Sequence, residues 1–180
     1  MNSWSQNNSN KNHSKECAHP IPGKVLFNCS NGNLSFSNIL LPENNMPQNL
    51  NQPMASVTMD TTLLCNPKLL INFSGILTVT PLDNIESSIF TFALFRICPG
   101  IKVREPITTF SFNYMNFSPS FPESRTLKLE YLYCNGQCES CCTYILELTS
   151  ISSLAALTAN ISINGLLSIL AIEDIKNENC

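Results

Sequence analysis

Histidine and aspartate are scarce in this chain: His13 and His19 are the only imidazoles, and Asp60, Asp83 and Asp174 the only aspartates. A cysteine–histidine nucleophile needs a thiol held against an imidazole, and both histidines fall in a polar opening stretch with no apolar pattern to position them. Charge of either sign is sparse too, 13% of residues with a formal net charge of −3. That leaves no basic surface on which a phosphate backbone or an anionic membrane would settle. No apolar run approaches the ~18 residues of a membrane-spanning helix, and the opening MNSWSQNNSNKNHSKE lacks the charged-then-apolar order of a secretory signal. The expectation from these absences is a protein that is not an enzyme, uses no cofactor, takes neither nucleic acid nor membrane as a partner, and shows no obvious export signal.

Cysteine, by contrast, is abundant. Nine residues, Cys17, Cys29, Cys65, Cys98, Cys134, Cys138, Cys141, Cys142 and Cys180, exceed ordinary usage in a reducing compartment. Two settings reconcile that number with the missing signal: thiolates binding a metal in the cytosol, or a protein made in a cell whose later lysis exposes it to oxidant. Asparagine is also frequent, 23 residues, which reflects an AT-rich genome as readily as structure, so the N-x-S/T matches carry little weight.

The length of 180 residues, 43% of them hydrophobic, suits one domain with one core. Residues 1–22 are dense in Asn, Ser, Lys and His and end in HPIPG. They cannot bury enough surface to order themselves and read as a flexible arm. Residues 23–173 form the body and 174–180 a short tail. Within the body, short period-two runs alternate with Pro, Asn, Gly and Ser clusters, the pattern of sandwich strands.

Leu127–Cys134 is the clearest strand, with Leu127, Leu129, Tyr131 and Tyr133 on one face and Lys128, Glu130 and Leu132 on the other. The run CTYILELTS follows after a cysteine-rich loop, and the two read as a hairpin. Val25–Cys29, Leu34–Ser37, Ser56–Asp60, Leu69–Val79, Ile89–Ile97, Thr108–Tyr114 and Ile161–Ile172 are further strands, about nine in all. Only Ser150–Asn160 has the Ala and Leu content for a helical turn or two, because prolines interrupt the other windows. The fold class is therefore all-β, an antiparallel β-sandwich, with a jelly roll as the specific expectation.

These strands carry a set of segments, VLFNC, ASVTMDTTLLCNPKLLINFSG, FALFRICPG, FSFNYMN, CNGQCESCCTYILELT and ISINGLLSILAIE, that resembles the clostridial family known as domain of unknown function 4489 over most of residues 24–173. The resemblance implies a lineage and a cysteine set but no activity. It further implies an anaerobic spore-former, whose coat and appendage proteins often lack signal peptides because mother-cell lysis releases them. In shape and cysteine usage the chain is also similar to endospore-appendage subunits, which join a jelly roll to a flexible N-terminal connector disulfide-bonded to a neighbour. That likeness is one of architecture only.

The segment Cys134-Asn-Gly-Gln-Cys138-Glu-Ser-Cys141-Cys142 admits three readings. Its C-x3-C-x2-C spacing equals that of a radical-type iron–sulfur motif, but such enzymes need a long barrel downstream and too little chain follows. Cys134, Cys138, Cys141 and Cys142 could instead supply four thiolates to a structural zinc, although adjacent Cys141 and Cys142 point to opposite faces if both lie on a strand. Disulfides are the preferred reading, with no metal held. Glu130 and Glu147 face each other on the expected hairpin as a conceivable carboxylate pair, with solvated outer-face positions the favoured reading. The phenylalanines of FTFALF and FSFNYMNF, at strand spacing, are core or inter-sheet packing.

The expectation that follows is a self-associating structural subunit of a spore surface layer or appendage fibre, bonded to copies of itself through its arm and sheet edges. An odd cysteine total leaves at least one thiol unpaired within the chain. Cys17 on the arm is expected to reach a neighbour, with Cys29 its first partner and Cys180 its second. The alternative is a cytosolic metal- or ligand-binding β module.

Overall fold

The computed structural model describes residues 23–41, 46–64, 67–81, 87–100, 103–115, 121–134, 141–154 and 157–173. The expected arm and tail, with Cys17, Cys65, Cys138, Cys180, both histidines, Asp83 and Asp174, lie outside the described residues. Eight strands run in order: β1 (Val25–Leu41), β2 (Gln48–Met59), β3 (Lys68–Pro81), β4 (Ser87–Ile97), β5 (Glu105–Met115), β6 (Glu123–Cys134), β7 (Cys142–Ser153) and β8 (Leu157–Ile172). Among the described residues there is no helix.

First strand pairs with last, second with seventh, third with sixth and fourth with fifth, all antiparallel. The chain thus behaves as one long hairpin with its midpoint between β4 and β5. Rolling that hairpin adds the pairs β3·β8 and β4·β7 and leaves two four-stranded sheets, β1-β8-β3-β6 and β2-β7-β4-β5. This connectivity is the jelly roll, and the sandwich architecture read from the alternation holds.

Three local expectations are corrected. Leu127–Cys134 and the run beginning at Cys142 do not form a hairpin, because β6 and β7 lie in opposite sheets. The connection 135–141 between them exceeds the usual 2–5 residues of a hairpin loop. The helical signal of Ser150–Asn160 gives way to the end of β7 and the start of β8, where Ile151, Ser153 and Ala159 are buried, since packing between sheets outweighs weak helix propensity. Val25–Cys29 and Leu34–Ser37 belong to the single strand β1, whose register shifts between Phe36 and Ile39. Asn38 takes φ 53° at that bulge, and its backbone N–H donates to Asn160 Oδ1 at 2.8 Å. Asn51 takes φ 49° at a comparable shift in β2. Asparagine tolerates this left-handed region better than other side chains, so two of the many asparagines have a structural role.

The core is filled from both inner faces, with Phe73, Leu77, Leu127, Ile163 and Leu167 from one sheet and Phe90, Phe92, Leu94, Tyr144 and Leu148 from the other. Its tightest point is a row of glycines, Gly32, Gly165 and Gly75, paired across β1, β8 and β3. The Phe73 ring lies over this row: a Cβ on Gly165 would stand 2.4 Å from Phe73 Cζ, and one on Gly75 2.8 Å from the same atom. Two contacts across the sandwich tie β4 and β5 to β6. Arg96 stands over the Tyr133 ring at 5.2 Å, and the buried Tyr114 hydroxyl donates to Glu123 Oε2 at 3.5 Å.

Gly165→Ala is expected to cost about 1–3 kcal/mol by overpacking, because its Cβ would also meet the Ser74 carbonyl oxygen at 2.7 Å, and backbone cannot step aside as a ring can. Urea unfolding should show a lower midpoint with an unchanged slope; an unchanged midpoint would mean that Phe73 has room to move. Burial, reinforced by the Glu123 charge, pushes the Tyr114 pKa from its ordinary 10.0 up to about 12. The folded state therefore keeps a proton that the unfolded chain loses, and stability should fall as pH rises from 10 towards 12. In Tyr114→Phe that part of the alkaline slope should vanish in denaturation curves taken across this range.

Candidate cross-linking site

Strands of a jelly roll alternate in direction, so β1, β3, β5 and β7 begin at the same end of the sandwich at which β2, β4, β6 and β8 finish. In one sheet Val25, Ile172, Lys68 and Cys134 line up across this end, and in the other Met59 pairs with Cys142. The connections here are 60–67, 98–104 and 135–141. They and the strand ends beside them hold Cys65, Cys98, Cys134, Cys138, Cys141 and Cys142. Cys17 precedes β1 and Cys180 follows β8, and Cys29 lies near the start of β1. The connections at the opposite end, 42–47, 82–86, 116–122 and 154–156, hold no cysteine. Among the described residues, the rolled topology thus brings Cys29, Cys98, Cys134, Cys141 and Cys142 towards one end of the molecule, a grouping that linear spacing does not reveal.

Cys98, just past β4, and Cys142, the first residue of β7, form a disulfide with their Cα atoms 4.3 Å apart. Ile97 pairs with Thr143 in the adjoining row, so the bridge joins two neighbouring strands of one sheet. Both sulfurs belong to buried residues. Cys29, Cys134 and Cys141 are exposed free thiols. Cys141 and Cys142 do part to different sides, one exposed and one buried. Cys142 is committed to Cys98, so the set Cys134, Cys138, Cys141 and Cys142 does not act as four free thiolates here; Cys138 lies outside the described residues.

Charged side chains brace this end. Arg96, 8% exposed, pairs with Glu105 at 2.6 Å while standing over Tyr133. Arg104, at the close of the β4–β5 connection, bonds Glu147 and stacks over the Phe95 ring at 4.3 Å. Thr62 donates its hydroxyl and then its backbone N–H to Asp60 Oδ1, and these bonds hold that carboxyl below its ordinary pKa. The imagined Glu130–Glu147 pair is corrected: Glu130 is exposed beside Lys128, whereas Glu147 is buried in the opposite sheet under Arg104. Sequence alternation placed Glu147 on an outer face without showing that Arg104 would cover it. Among the described residues no cluster of His, Cys, Asp or Glu has the geometry of a metal site.

Fold and site together define a jelly-roll protein with its described cysteines gathered towards one end. The chain belongs to the family described as domain of unknown function DUF4489, which matches residues 25–172. No curated protein matches. Among solved structures, the infectious bursal disease virus Gx strain structure aligns at TM-score 0.45 with 8% identity, over 87% of this chain and 39% of that one. The subviral particle of that virus's VP2 gives 0.40 and 8% over 83% and 37%. Eiger TNF from S. frugiperda gives 0.32 and 9% over 89% and 99%. The chain spans about two fifths of the viral chains, and the jelly-roll assignment rests on the strand pairing itself.

Replacing both Cys98 and Cys142 by alanine opens a closed loop with a sequence separation of 44, a loss expected to cost about 2–4 kcal/mol. Thermal unfolding with and without reductant checks this: the parent chain should lose Tm on reduction, and the double variant should start low and not respond.

Proposed function

We propose that this protein is a non-enzymatic structural subunit that assembles with copies of itself and is cross-linked through surface thiols, in a spore surface layer or appendage fibre exposed to oxidant after mother-cell lysis. The observation that carries this reading is the gathering of the five described cysteines towards one end of the roll, where Cys98 and Cys142 are buried as a disulfide and Cys29, Cys134 and Cys141 stand exposed. A thiol meant only to stabilise the body would be buried with its partner; an exposed thiol is available for exchange. Cys17 precedes β1 in the sequence and would reach a neighbour's exposed cysteine at high effective concentration once two bodies touch. The second reading is a metal- or ligand-binding β module in which cysteines of the 134–142 segment act as ligands; it rests on the density of thiols there.

Oxidised full-length protein is expected to run as a ladder on non-reducing electrophoresis and as a monomer under reductant. Cys17→Ser should remove species larger than a dimer while leaving the far-UV spectrum unchanged. A monomer under both conditions, carrying one zinc per chain after chelator-free purification, would establish the second reading instead.

A further inference from the structure

The outer face of the sheet β1-β8-β3-β6 should be polar if water alone covers it. Two adjoining rows of that face at the cysteine end are not. One row runs Val25, Ile172, Lys68, Cys134, apolar over its first two strands, and the next runs Phe27, Leu170, Leu70, Leu132, apolar across all four. Phe27 is 64% exposed, Leu132 59%, Val25 56% and Ile172 42%. Together these six side chains present roughly 450 Å² of contiguous apolar surface, within the size range of the largest patch on a typical monomer, which is often functional. A standard interface buries about 800 Å² per partner, a little over half of it apolar. The patch therefore supplies the apolar share of one such interface, and the serine, asparagine and lysine rows beside it supply a polar rim.

Two free thiols flank the patch on the same face. Cys29 on the edge strand β1 pairs with Ser168, one row beyond Phe27, and Cys134 on the opposite edge strand β6 pairs with Lys68, one row before Leu132. Three strand spacings and four residues separate them, roughly 14 Å across and 14 Å along the sheet, about 20 Å in all, too far to bond within one chain. Their midpoint falls between Leu70 and Leu170, the centre of the apolar row. A two-fold axis through that point, lying between two stacked copies, carries Cys29 of each copy onto Cys134 of the other. Because the two legs are nearly equal, the axis runs at about 45° to the strands and the sheets cross at about 90°, one of the two ways in which sheets stack face to face.

We infer that this face is an isologous interface between two copies of the chain, sealed by two symmetry-related Cys29–Cys134 disulfides. The inference rests on the self-assembly reading above and names the surface and partner residues it uses. The isologous form follows from the thiols: only a second copy presents the complementary cysteine at the complementary distance from the patch centre. A low-molecular-weight disulfide such as oxidised glutathione completes the chemistry. One protein thiolate attacks it and expels a glutathione thiolate, and the partner's thiolate then attacks the mixed disulfide and expels the second. For each bond formed, two cysteine thiols give up two protons and two electrons, and one glutathione disulfide becomes two thiols. Cys141 is left exposed, free for a link from the N-terminal segment.

The test uses the full-length chain carrying Cys17→Ser, mixed from isotope-labelled and unlabelled batches and equilibrated with reduced and oxidised glutathione. The expected product is a reductant-sensitive dimer whose peptide map joins labelled Cys29 to unlabelled Cys134 and the reverse. Adding Cys29→Ser or Cys134→Ser should lower its yield at least tenfold. Leu132→Glu should do the same with both thiols intact and the near-UV spectrum unchanged. Dimers that survive Leu132→Glu, or that map to Cys141, overturn this interface while leaving self-assembly standing. If the chain with its natural Cys17 also forms no reductant-sensitive species, both the interface and the assembly reading fall.

Discussion

Phe73 can lie against its own sheet only because three adjacent strands place glycine in one row beneath it. Gly32, Gly165 and Gly75 come from segments far apart in the chain, and the fit exists in a single register of β1, β8 and β3. A slip of one residue would turn each strand's apolar set outward, and a slip of two would set Cβ atoms where the ring lies. The row thus fixes the alignment of the first and last strands, on which the whole rolled hairpin depends. That same register sets Val25 beside Ile172 and Cys29 beside Ser168, so the packing of one buried ring also decides which surface residues become neighbours.

Much of this fold was legible in the alternation of the chain. Leu127, Leu129, Tyr131 and Tyr133 do face inward, and Lys128, Glu130 and Leu132 outward. What period-two alternation cannot carry is the identity of the partner strand, because it records which face is wet and not what lies alongside. The β6–β7 segment shows the consequence. Two well-patterned strands close in sequence imply a hairpin, yet each finds a better partner far away: β6 pairs with β3, and β7 with β2 and β4. Long-range pairing dominates a jelly roll, so local evidence misleads most where strands are best formed.

The cysteines were hidden by the same limit. Their spacing suggested a local cluster at 134–142, and the structure instead joins Cys142 to Cys98 on a neighbouring strand. Glu147 was similarly misplaced, because its cover is Arg104 from a connection remote in sequence. An outer-face carboxylate becomes a buried one when an arginine covers it. The cost of desolvating it is offset only with the guanidinium in place.

Burial divides the described cysteines into two chemical populations. Cys98 and Cys142 are shielded by the core and bridge adjacent strands, so small thiols in solvent meet little of them and their bond belongs to the fold. Cys29 and Cys134 lie on the surface of strands whose backbone pairing and inward side chains do not involve their sulfurs, and Cys141 is exposed just ahead of β7. Oxidation or reduction at these positions changes what the surface bonds to and leaves the sandwich as it is. A body held together by burial and by one buried bridge can therefore change the oxidation state of its exposed thiols without refolding.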